Sequence, residues 1–215
     1  MKIIDYVILF FIYSVLGWIV EVIDVFIKTH KLSNRGFLIG PYLPIYGSGC
    51  ILIIILLNNQ TNDLISLFLK SMIICSILEY FTSYIMEKIF KTRWWDYSDR
   101  KYNINGRICL VNMFLFGILG CILLYIINPI LAYILLNINN NIKYILGITI
   151  IIILLIDFII SFKIIINISK IVTNLAKDST DEISKKVKLI LNKSKIYKRI
   201  IKAFPKINKS KIIKK

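Results

Sequence analysis

The chain has 215 residues, 57% of them hydrophobic and 19% charged, with a mean hydropathy of +0.73 and a formal net charge of +16. That hydropathy excludes an ordinary soluble domain and the length excludes a simple anchor, so a multi-spanning membrane protein is expected. The charge is local: from Asn167 onward there are 15 Lys and Arg against 3 acids, so +12 of the +16 sits in one tail, and with no aromatic platform or nucleic-acid motif beside it nucleic acid is not an expected partner.

A bilayer core about 30 Å thick takes roughly 20 helical residues to cross. Five apolar segments are expected to do so: Ile4 to Ile27, Pro41 to Leu57, Leu64 to Phe90, Cys109 to Ile127 and Tyr144 to Ile166. Their runs are long and continuously apolar, without the period-2 alternation of barrel strands. The expected fold class is therefore an all-α integral membrane protein. Residues 1–137 form a core membrane domain with four spans, 138–166 the fifth span, and 167–215 a basic cytoplasmic tail. The first run is too long for a signal peptide, contains Glu21 and Asp24, and lacks a small-residue cleavage site, so it is expected to stay as a span. The second is short and begins PYLPIYG, which predicts a broken or kinked entry. Pro129 follows the fourth, and PILAYILL either prolongs that span or lies at the interface.

Orientation follows from Lys and Arg placement. Lys28, Lys31 and Arg35 lie between spans one and two, Lys91, Arg93, Arg100, Lys101 and Arg107 between three and four, and most of the remainder in the tail. Five spans put all of these on one side, which predicts the N-terminus outside and the C-terminus in the cytoplasm of a multi-pass cell-membrane protein. In the tail, Ser179 with Glu182 makes a capping box, and Ile183, Val187, Ile190 and Leu191 make an apolar stripe ending before Pro205. Such a basic amphipathic helix suits anionic lipid at the inner leaflet; a solvated helix packing its stripe on a partner is the alternative.

Cys50, Cys75, Cys109 and Cys121 lie in or beside apolar runs without paired spacing or a His cluster, so they are expected to be small buried side chains. No metal or cofactor is expected. A short internal similarity, DVFIKT at 24–29 and EKIFKT at 87–92, precedes a Gly-containing loop in both cases, which would fit a parallel repeat of helix pairs or chance in an Ile/Lys/Asn-rich background.

Ionisable groups within a bilayer need a partner, water or a function. Glu21, Asp24, Lys70, Glu79, Glu87 and Asp157 are the residues at issue. Glu21 lies seven residues before Lys28, about 10 Å along the helix, and Glu79 is deeper. Trp18, Glu21 and Asp24 are expected on one face by i, i+3 spacing, and Glu79, Ser83 and Met86 on another. The acids of spans one and three lie beneath loops that carry Arg35, Arg93 and Arg107, so ion pairs are one reading and a polar site the other. Lys70 is expected to snorkel; the sequence identifies no partner for Asp157.

Both loops carry more than a spacer needs. In NRGFLIGPYLPIYG, Gly36 and Gly40 permit close backbone geometry, and amides exposed at a break beside Arg35 would suit an anion. In KTRWWDYSDRKYNINGRICL, Trp94, Trp95 and Tyr97 are expected interfacial anchors. That leaves Asp96, which could act as acid, base or cation ligand, Asn105, and Arg107, which could clamp carboxylate or phosphate. The candidate polar site is thus Glu21, Asp24, Arg35, Glu79, Asp96, Asn105 and Arg107.

FFIYSVLGWIVEV at 10–22, NRGFLIGPYLPIYG at 34–47, LEYFTSYIMEKIF at 78–90, RWWDYSD at 93–99 and NINGRICLVN at 103–112 together resemble the putative ABC-transporter permease family also called CmpB-like or ABC-transporter type IV, over about residues 5–130. The resemblance implies a small bacterial membrane protein, commonly from Firmicutes, acting as a permease-like subunit with an ATP-binding subunit in trans. This chain has no G-x-x-x-x-G-K-[ST] pattern, so ATP hydrolysis by that route would fall to the partner. Five spans make a small pathway, which calls for a homo-oligomer or a second membrane subunit. The alternative reading is a membrane-embedded enzyme or lipid-binding protein acting on a phosphate-bearing lipid at the cytoplasmic interface.

Overall fold

The structure, a computed structural model, describes residues 1–30, 34, 36–58, 63–90 and 93–175, with side chains as far as 167. Arg35 and the expected tail helix with its capping box lie outside the described residues.

Among the described residues four apolar rods are long enough to cross a membrane. They are helix α1 (Ile3–Thr29), helix α3 (Leu64–Phe90), the rod Leu110–Leu136, and the Asn140–Asn167 part of helix α6 (Asn140–Leu175). The second expected span is shorter than its sequence suggests. Helix α2 is Pro44–Leu57, 14 residues, about 21 Å against a core of about 30 Å. A proline pushes the residue before it out of helical geometry; Leu43 is extended, with φ −121° and ψ 98°, and α2 starts on Pro44.

The fourth rod continues past Ile127. Helix α4 (Leu110–Ile122) passes through a π turn (Leu123–Ile127) into helix α5 (Asn128–Leu136). Pro129 has no N–H and its ring crowds the carbonyl four residues back. The wider turn absorbs this, with the Asn128 N–H reaching the Leu123 carbonyl five residues back. Helix α6 begins four residues before Tyr144, where the Asn139 side-chain oxygen accepts the Asn141 N–H at 2.9 Å.

Small polar side chains are buried beside an apolar core, and many large apolar ones face outward, unlike a soluble bundle. Ser14, Ser71, Ser76, Ser83 and Ser161 are buried, while Ile23, Phe81, Leu115 and Ile152 are exposed. Between α3 and α4 the small residues set the spacing: a Cβ on Gly117 would lie 2.5 Å from Phe68, and one on Gly120 2.3 Å from Ser71.

The two ends of the bundle differ. At the N-terminal end of α1, Asp5 and Lys143 form a buried ion pair at 3.1 Å between α1 and α6. The two connecting loops gather at the other end, where Phe37 packs on Trp94 with ring centroids 5.6 Å apart. Among the described residues a two-stranded antiparallel ribbon adds to the expected all-α fold: strand β1 (Asn103–Ile104) pairs with strand β2 (Ile108–Cys109), so Cys109 is a strand residue rather than the first of a span. Asn105 and Gly106 have φ of 53° and 67°, and the Arg107 N–H closes the turn on the Ile104 carbonyl at 3.0 Å.

Candidate functional site

The first loop runs down α1 into the bundle rather than over its surface. Trp18 donates its indole N–H to Asn34 at 2.9 Å, and the same Asn34 oxygen accepts the Gly36 N–H at 3.0 Å. By Leu43 the backbone has reached the middle of α1, donating to the Ser14 carbonyl at 2.8 Å. Irregular backbone at that depth is tolerated only when protein satisfies its polar groups. Asp157 of α6 does this. Its carboxylate accepts the N–H groups of Ile39 at 2.9 Å and Gly40 at 2.8 Å, the Ser161 hydroxyl at 2.8 Å, and the Tyr42 hydroxyl. The amides that could have received an external anion hold an internal one, and Asp157 has its partners.

The second loop is held by side chains. Glu87 near the end of α3 accepts from Arg93 Nε at 3.2 Å and pairs with Arg107 at 2.8 Å. Arg107 is buried, with its guanidinium 5.7 and 5.3 Å from the rings of Tyr80 and Tyr84 and 3.4 Å from the Ser83 hydroxyl. Asp96 accepts the Ser98 N–H at 3.0 Å and lies 3.7 Å from Arg93, which makes it a turn-forming residue. Asn105 is exposed at the ribbon turn and donates to the Tyr80 hydroxyl at 2.9 Å. Trp94 is buried between Phe37 and Phe90, and Trp95 donates to the Arg107 carbonyl at 3.1 Å.

Between the loops two carboxylates come together. Glu21 of α1 accepts the Tyr46 hydroxyl at 2.9 Å, and Glu79 of α3 accepts the Tyr97 hydroxyl at 3.1 Å. Glu79 is 8% exposed. Each acid lies within electrostatic reach of the other's tyrosine, and Glu79 feels Glu21 directly. Burial, reinforced by Glu79, pushes the Tyr97 phenol up from its ordinary range, so it stays a donor at neutral pH. Asn112 of α4 also faces Glu79, but Oε2 of Glu79 is buried without a hydrogen bond of normal geometry.

Of the residues singled out from sequence, Glu21 and Glu79 meet at this centre. Arg107 stands behind it on Glu87, and Asp96 and Asn105 shape the second loop. Asp24 stands apart: it is half-exposed and bonded to Lys28 at 2.6 Å, one turn along the same helix. Tyr46 and Tyr97 complete the centre; Tyr46, inside the PYLPIYG entry, was not among the expected site residues. The ribbon had a local signal in Asn105-Gly106, whereas nothing local marks Tyr46 as the partner of a carboxylate 25 residues earlier. Among the described residues no group of three or more His, Cys, Asp or Glu is placed to hold a metal ion.

The model of a family described as "Putative ABC-transporter type IV" matches residues 8–162, which include every residue of this centre. No curated protein and no solved structure matches the chain. The match spans well over half of the sequence, and the chain belongs to that family.

Proposed function

We propose that this chain, as a member of the putative ABC-transporter type IV family, is the membrane subunit of a transport system driven by an ATP-binding subunit in trans. Its substrate or coupling site lies at the loop end of the bundle, around Glu21 and Glu79. The observation that carries this reading is the pairing of two carboxylates from different helices inside a membrane protein, where an unpaired charge costs several kcal/mol. Among the described residues, the groups facing Glu79 are Glu21, Tyr46, Cys75, Tyr97 and Asn112, none of them basic. A purely structural acid is expected to look like Glu87, which has two arginines, or Asp157, which has four donors.

In this reading the N-terminus is outside, and the loops and tail face the cytoplasm, where an ATP-binding subunit would dock. A homo-oligomer or second membrane subunit completes the pathway. A phosphate-bearing lipid fits less well, since Arg93, Arg107 and the amides of Ile39 and Gly40 are already engaged by Glu87 and Asp157.

Affinity purification of the full chain from its native membrane tests the reading. An ATPase subunit should co-purify, and Glu79→Gln should abolish transport-coupled ATP hydrolysis while inserting normally. Recovery of the chain with no ATPase but with stoichiometric phospholipid would overturn it. Reporters fused after Asn62 should read outside, and those after Lys101 inside.

A further inference from the structure

We propose that Glu21 and Glu79 form a cation site, taking up one proton or one hard monovalent metal ion between them. The inference rests on the reading above and names the chemistry of its site.

The argument starts from what Glu79 lacks. A carboxylate can accept about four hydrogen bonds. Glu79 takes one from Tyr97, has Asn112 facing it, and keeps Oε2 buried without a bond of normal geometry. Asp157, in the same bundle, accepts four donors on its two oxygens, so this fold can satisfy a buried acid internally. At Glu79 it does not.

The surroundings have one sign. Glu79 is faced by Glu21 from α1, Tyr46 from α2, Cys75 from its own helix, Tyr97 from the second loop with Cys109 behind it, and Asn112 from α4. None of these brings positive charge. Among the described residues the basic side chains nearby are committed elsewhere: Arg93 and Arg107 to Glu87, and Lys28 to Asp24. A buried carboxylate held within reach of a second one, with no cation beside it among the described residues, lacks a positive charge. The donors on offer are carboxylate, phenol and amide oxygens, which suit a proton or a hard ion and give little to a soft metal.

The test uses the purified full chain in lipid nanodiscs. Infrared difference spectra between acidic and alkaline buffer look for a buried protonated carboxyl. Melting temperatures are compared in NaCl, KCl and N-methylglucamine chloride at equal ionic strength. A proton occupant gives a carboxylic-acid band that disappears in Glu79→Gln. A metal-ion occupant gives a saturable, ion-specific rise in melting temperature whose apparent affinity falls about tenfold or more in Glu21→Gln and Glu79→Gln. Asp24→Asn should leave either signal intact. Absence of both signals from the wild-type chain, or their persistence in a folded Glu79→Gln, overturns the cation site. Should Glu79→Gln fail to fold, the wild-type spectra and Glu21→Gln still decide. Co-purification of an ATPase is scored separately: wild-type protein with the ATPase but neither signal sinks the cation site alone, and the converse sinks the transport reading alone.

Discussion

The two loops at the site end follow similar helix endings, DVFIKT and EKIFKT, yet they are held by different physics. The first is fastened through its backbone: the amides of Ile39 and Gly40 donate to an aspartate 117 or more positions away. The second is fastened through side chains, with Arg93 and Arg107 on Glu87 and Tyr97 on Glu79. A backbone-led anchor converges on one distant residue, which here also takes the Tyr42 hydroxyl. A side-chain-led anchor spreads its strength over several residues. The similar endings do not place the two acids equivalently either, since the 63-residue offset between them would set Glu21 against Tyr84.

Asp157→Ala should therefore be the most damaging single change. It leaves two amides and two hydroxyls without an acceptor, each unmet buried group costing about 1–3 kcal/mol, so a loss above about 3 kcal/mol is expected in reversible unfolding from mixed micelles. Residues 34–43 should become protease-sensitive. Asp157→Asn retains one acceptor oxygen and should fall between. Glu87→Ala comes next, at about 1–3 kcal/mol, because the Arg107 side chain is only 11% exposed and loses its carboxylate while keeping Ser83 and two rings. The Arg93 half of that cluster is one-third exposed and adds under about 1 kcal/mol. Should Glu87→Ala prove worse than Asp157→Ala, the contrast between the loops is wrong. Gly106→Ala probes the ribbon: at φ +67° a Cβ would lie 2.4 Å from the Ser98 hydroxyl, for about 1–2 kcal/mol in left-handed strain.

What could be read from sequence divides along the same line. Spans one, three and five were legible because an apolar run of membrane length carries its own signal. The broken entry to span two was legible in Pro41 and Pro44, though not that α2 would shorten to 14 residues. The meeting of loop arginines with acids of span three was foreseeable from charge, but the choice of Glu87 over Glu79 was not. The Asp157 latch was illegible, since backbone amides are identical in every sequence and only the fold brings them to α6. Tyr97 was equally hidden, because a tyrosine at a membrane interface reads as an anchor until its hydroxyl is seen to meet a carboxylate, and nothing local marked Tyr46.

Asp24 gives the smallest effect and the cleanest check on the centre. Its i, i+3 spacing from Glu21 suggested a shared face, but three residues turn a helix by about 300°, roughly 60° short of alignment, and here that rotation gives the two acids different partners. Glu21 meets Tyr46 in the bundle, whereas Asp24 reaches Lys28 with 46% of its side chain exposed. An exposed i, i+4 pair contributes under about 0.5 kcal/mol and weakens with salt. Asp24→Asn should thus leave unfolding and any ATPase coupling close to wild type, while Glu21→Gln, three residues away, impairs coupling. Equal impairment by both would move the functional centre outward, from the Glu21–Glu79 pair to the exposed end of α1.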